Sequence, residues 1–204
     1  MKVLLVSALS LLAFPAFAQD NAGAPQRTAE PAIDVQLPLS QETRTVSTET
    51  LQGVLYDLSA LRHNVQQAHW NVQGIEFYQL HEFYAELYDA LFGYVDQIAE
   101  RKLQLGMPAD ARPGAVADTS RIPAIETGFL GDEQTLRILV NQYSTMSAIL
   151  YAGIDATNDD LVTQDLLIAV AHGVDKHFWQ LRAHLRVDID ATGNVTNNDG
   201  TATR

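Results

Sequence analysis

Histidine and carboxylate are the metal-binding groups open to this chain, which has six histidines (His63, His69, His81, His172, His177 and His184) and no cysteine. Without thiols there are no disulfides, zinc–thiolate sites, iron–sulfur clusters or cysteine nucleophiles. His69 falls four residues after Val65 on an apolar stripe, and His81 follows 12 residues later, beyond an Asn71-Val72-Gln73-Gly74 turn. The two imidazoles can therefore face each other across a short link. Asp96 and Glu100 are spaced i,i+4, which puts both carboxylates on one face of a helix. Such a pair chelates a hard or borderline cation through oxygen, although acid pairs at this spacing are also common on solvated faces.

A distance decides how these four residues can cooperate. His81 and Asp96 are 15 residues apart on one helix, which the helical rise turns into about 22 Å. Metal–ligand bonds are about 2 Å long. A metal shared by the histidines and the carboxylates must therefore take them from two chains. Antiparallel pairing of two copies brings His69 and His81 of one to Asp96 and Glu100 of the other, giving two identical sites per dimer. The intrachain alternative is a pair of Glu-x-x-His motifs on two helices, and no glutamate here has a histidine three residues later.

Four amphipathic stretches must position these groups. The first runs through Leu51, Leu55, Leu58, Leu61, Val65 and Val72, with Ser47 or Thr48 as its expected cap. The second runs through Phe77, Leu80, Tyr84, Leu87, Leu91, Val95 and Ile98 and ends near Leu105-Gly106, with Pro108 beyond. The third starts at Gly131-Asp132 and carries Leu136, Leu139, Tyr143, Met146 and Leu150. The fourth follows Asn158-Asp159 and carries Leu167, Val170, Val174, Phe178, Leu181 and Leu185. No strand alternation stands out. The links between helices one and two and between three and four are short, whereas Gly106 to Gly131 is long and holds Pro108, Pro113 and Pro123. Short links force antiparallel neighbours, and a long one allows a crossover down the bundle. The expected fold is all-α, a ferritin-like four-helix bundle with one long crossover connection between helices two and three; the alternative is a plain up-down bundle with a loose middle loop.

Composition bounds the rest. Apolar residues make up 47% of the chain, enough for one sizeable core, and 13 Lys+Arg against 25 Asp+Glu give a net charge of -12. That balance repels nucleic acid phosphates and attracts cations. Residues 1–18 read as a signal peptide, with Lys2, an apolar run from Val3 to Phe14 and a cleavage site at Ala16-Phe17-Ala18. The run is shorter than the ~20 residues that span a bilayer, so no membrane residence is expected, and a periplasmic or otherwise exported location is. Residues 19–45, with Pro25, Pro31 and Pro38, read as a flexible N-terminal segment, 46–187 as the helical domain and 188–204 as a polar C-terminal tail.

With these residues assembled, Ala68-His69-Trp70-Asn71-Val72-Gln73-Gly74, Leu80-His81-Glu82, Val95-Asp96-Gln97-Ile98-Ala99-Glu100-Arg101 and Gln104-Leu105-Gly106 resemble the Dps (DNA protection during starvation) family of mini-ferritins. The last helix is similar to that family too, in Asp175-Lys176-His177-Phe178-Trp179 and Leu181-Arg182-Ala183-His184-Leu185. The resemblance covers roughly residues 46–187. It implies a hollow dodecamer built from twofold dimers, a ferroxidase that oxidises Fe(II) at intersubunit sites with hydrogen peroxide as the preferred oxidant, and storage of ferric mineral. By position it makes His69 and His81 iron ligands from one chain and Asp96 and Glu100 ligands from the other, with Glu100 as the bridge. Imidazole with carboxylate suits iron and leaves zinc or manganese possible. The resemblance also places Asp165 and Asp175 at an acidic iron-entry pore; the competing reading is a solvated helix face. Trp70 is either an aromatic neighbour of the site or a core tryptophan, and His177 is expected to pack at an interface.

Two departures matter. The family usually carries an acid four residues after the second histidine, where this chain has Ala85. Members that bind DNA use a lysine-rich tail, whereas residues 19–45 contain Arg27 and Arg44 but no lysine. Strong DNA binding is therefore not expected. The leading expectation is an exported ferroxidase and iron store that protects against oxidative stress. Its competitor is a shell that sequesters metal or coats DNA, with a weak or inactive centre.

Overall fold

Ser40, rather than Ser47 or Thr48, opens the first helix. In the computed structural model, which describes residues 35–185 and the backbone of 188–189 and 195–196, helix α1 spans Gln41–Asn71. The Ser40 hydroxyl accepts the amide of Thr43 at 3.0 Å, a cap worth about 1 kcal/mol. Ser47 and Thr48 instead lie buried within the helix. Their hydroxyls resemble caps in sequence, but Ser40 offers its side chain at an extended residue, where the free amides are. The expected signal peptide lies outside the described residues.

Helix α2 spans Phe77–Gln104, α3 Pro113–Thr119, α4 Asp132–Ala156 and α5 Leu161–His184. The four long helices form the expected bundle, with α1 packed on α2 and α4, α4 on α5, and α5 on α2. The stripes read from spacing form the core: Leu51, Leu55, Leu58, Leu61, Val65, Leu80, Tyr84, Leu87, Leu91, Ile98, Leu139, Tyr143, Met146, Leu150, Leu167, Val170, Val174 and Leu181 are buried. Phe77 departs from this pattern, since it is 43% exposed at the first turn of α2. His177 takes a core position on α5 instead.

The long link is not loose. Along α1, the amide of Gln52 donates to the Asp110 carbonyl at 2.6 Å and the amide of Asn64 to the Pro123 carbonyl at 2.9 Å. Between them the buried carboxylate of Asp57 accepts the Arg121 amide at 2.6 Å and its guanidinium at 2.6 and 3.0 Å. The partners advance together, 52 with 110, 57 with 121 and 64 with 123, so the crossover runs alongside α1 in the same direction. Two short strands finish it. Contrary to the all-helix expectation for the middle of the chain, β1 (Val72–Gln73) pairs in parallel with β2 (Leu130–Gly131). A further pair, β3 (Asp188–Ile189) and β4 (Val195–Thr196), is antiparallel. Among the described residues, no helix is long and apolar enough to cross a membrane.

Candidate functional site

The turn between α1 and α2 brings the two histidines together. A Cβ on Gly74 would lie 2.3 Å from Asp132 Oδ2, so a larger residue there would have to push the Asp132 side chain aside at the start of α4. Across the turn, the rings of His69 and His81 stack with centroids 3.8 Å apart and planes 20° apart. Each ring hydrogen-bonds to the backbone of the other residue. The Nδ1–H of His69 donates to the His81 carbonyl at 2.7 Å, and the Nδ1–H of His81 donates to the His69 carbonyl at 2.8 Å. A carbonyl only accepts, so both Nδ1 atoms carry the proton and, in the neutral rings, both Nε2 atoms carry a free lone pair. This is the arrangement that fixes a metal-binding histidine's tautomer before the metal arrives. Phe77 lies against His81 with centroids 5.2 Å apart, and Tyr88 meets His69 edge-on at 5.3 Å and 71°.

Asp96 and Glu100 are exposed near the far end of α2, and neither makes a hydrogen bond or ion pair among the described residues. Glu82, Glu86 and Asp89 are exposed on the same helix at i, i+4 and i+7, continuing to Asp96 and Glu100 at i+14 and i+18. At ~100° per residue these five lie within about 40° of one line, an acidic stripe that attracts cations. Next to Glu100, Arg101 is locked to α5: its Nε donates to the Thr163 hydroxyl at 3.0 Å and its Nη2 to Asp160 at 3.0 Å. Burial opposes the charge on Asp160, but the Thr163 hydroxyl and amide and the Arg101 guanidinium outweigh it and hold the carboxyl below its ordinary range. Among the described residues of one chain, no three His, Asp or Glu side chains come close enough together to hold a metal.

The structure thus joins His69 to His81 and leaves Asp96 and Glu100 facing outward along the same helix. Trp70 is 57% exposed beside the histidine pair, so it is not a core tryptophan. His177 is buried inside the bundle beside Tyr143, their ring centroids 6.4 Å apart. Asp165 is exposed, whereas Asp175 is tied within the chain, accepting the Ser147 hydroxyl at 2.6 Å and the Tyr151 hydroxyl at 3.1 Å. Phe77, at i−4 from His81, reads in sequence as one member of the apolar stripe of α2, and Tyr88, at i+7, falls outside that stripe, so neither is legible as a neighbour of the histidine pair from spacing alone.

Comparison with known proteins agrees with this fold. The family model described as "Ferritin-like domain" matches residues 48–188. DNA protection during starvation protein 2 of Deinococcus radiodurans is 37% identical over 141 residues, 69% of this chain and 58% of that protein, so the chain spans less than two thirds of its length. DNA protection during starvation protein 2 of Bacillus anthracis is 32% identical over 142 residues, covering 67% of this chain and 94% of the relative. The structure of Dps from Microbacterium arborescens in the high iron form superposes with a TM-score of 0.68 at 33% identity, covering 71% of this chain and 95% of that one.

Proposed function

Because the chain belongs to the ferritin-like domain family, and within it to the Dps mini-ferritins, we propose that it is a ferroxidase that binds Fe(II) at sites completed between two of its copies. Iron storage and protection are the general business of this family, and its members assemble from like subunits. The finer reading is that each site takes His69 and His81 from one protomer and Asp96 and Glu100 from its partner across a twofold axis. The observation that carries it is the reciprocal Nδ1–carbonyl pairing, which presents two free Nε2 atoms with no carboxylate of the same chain in reach among the described residues. The donor set of imidazole nitrogen and carboxylate oxygen fits iron, with zinc or manganese as competitors.

Two ferrous ions held side by side each give one electron to hydrogen peroxide, so that with two protons the products are two ferric ions and two waters. Taking both electrons at one paired site avoids releasing hydroxyl radical. The acidic stripe on α2 supplies the cation attraction, and Asp165 with Asp175 is the proposed entry path. The proposal extends to a dodecameric shell, and to export after cleavage near Ala18. It also includes weak or no DNA binding, checked by a gel mobility assay at low salt.

Subunit complementation tests the intersubunit site. One variant carries His69→Ala and His81→Ala, the other Asp96→Ala and Glu100→Ala, and each alone is expected to give no rapid ferric absorbance after Fe(II) and peroxide are mixed. Co-assembled at equal amounts, mixed dimers regain one intact site, restoring about a quarter of the wild-type amplitude. No recovery in verified mixed assemblies refutes the shared site. No wild-type signal at all favours a sequestering shell, with Ala85 as the reason.

A further inference from the structure

The histidine pair lies inside a file of four rings: Phe77, His81, His69 and Tyr88, with successive centroid distances of 5.2, 3.8 and 5.3 Å. Phe77 and Tyr88 sit at i−4 and i+7 of His81 on one face of α2, while His69 reaches in from α1. An imidazole's outer torsion is broad, with two wells that exchange its nitrogen and carbon edges. Holding Nε2 at one angle therefore needs contacts on the ring faces as well as the bond at Nδ1. Where the family resemblance leads one to expect an acid, one turn beyond His81, this chain has the methyl group of Ala85, which neither ligates nor accepts a hydrogen bond.

We propose that Tyr88, working with Phe77, is a positioning residue for metal binding: the two aromatic rings bracket the stacked imidazoles and hold both Nε2 atoms in ligating orientation in place of a supporting carboxylate. The edge-on approach of Tyr88 at 71° is the favoured aromatic geometry. The action is that of the ring rather than the hydroxyl, which has no partner among the described residues. Tyr88 touches a ligand and not the metal, so its removal changes how His69 binds without deleting a donor atom. The inference rests on the metal site proposed above.

The test uses the full, assembled protein, titrated with Co(II) and Zn(II) without oxidant. Tyr88→Leu is expected to weaken both metals by on the order of threefold to tenfold and to change the d–d absorption of bound Co(II). Tyr88→Phe is expected to match wild type in affinity and spectrum. Wild-type affinity and spectrum in Tyr88→Leu overturn the proposal, and so does a Tyr88→Phe protein that binds as weakly as Tyr88→Leu. If Tyr88→Leu does not assemble, Tyr88→Met is read the same way. Loss of Co(II) binding in His69→Ala is the control for the site itself. Equal Co(II) binding by His69→Ala and wild type refutes the parent site, whereas loss in His69→Ala with no effect of Tyr88→Leu refutes only the bracket.

Discussion

Replacing Gly74 with alanine tests whether the turn between α1 and α2 sets the metal site. The new Cβ would meet Asp132 Oδ2 at 2.3 Å, Cγ at 2.5 Å and Cβ at 3.0 Å, on a backbone whose φ is +154°. The carboxylate can swing aside, giving up its bond from the Glu133 amide at 2.8 Å, but the Asp132 Cβ cannot. Crowding of this kind costs about 1–3 kcal/mol, and an alanine held at that φ costs about 1–3 kcal/mol more. With partial relaxation, a total of about 2–4 kcal/mol lowers the melting temperature by roughly 5–15 °C for a chain of this size. Scanning calorimetry of the assembled protein gives the number. The double variant Gly74→Ala with Asp132→Gly separates the two causes: compared with Asp132→Gly alone, it should keep only the backbone part, about half the loss. The turn lies between His69 and His81, so Gly74→Ala should also slow ferrous oxidation. A midpoint within about 1 °C of wild type would refute the close approach.

Asp57→Ala removes the buried acceptor of the Arg121 amide and guanidinium. Because Arg121 is 56% exposed and can be hydrated, the expected cost is about 2 kcal/mol, below that of breaking a fully buried pair. Denaturant melts should show it, along with faster proteolysis within residues 107–129; an unchanged melt would remove Asp57 as the crossover's anchor. His177 gives a pH signature. Burial first, and the Lys176 charge second, hold its pKa below the ordinary 6.5. The unfolded chain therefore takes up the proton first, and stability falls as pH drops from about 7 through the unfolded value toward the folded one. The melting temperature of His177→Leu should depend less on pH than that of wild type over about pH 7 to 5, and identical slopes would show that His177 does not contribute.

Periodicity alone determined much of this protein. The apolar spacing of residues 51–72, 77–98, 136–150 and 167–185 marked four helices, and the short and long links fixed their order and the crossover. Helical rise alone separated His81 from Asp96 by about 22 Å, so that any metal they share must be held between two chains. These properties are local, readable from residue type and spacing. What only the tertiary structure decided depends on partners distant in sequence. Ser40 rather than Ser47 caps α1 because the cap depends on where the chain becomes extended. The polar partners Gln52, Asp57 and Asn64 hold residues 110 to 123 along α1, and no spacing within α1 reveals that. The proton on each Nδ1 follows from a carbonyl 12 residues away, which comes within reach where the chain turns back past Asp132 at Gly74. The sequence offered the two imidazoles as candidate ligands, and the packing of α1 against α2 decided which nitrogen of each would be free.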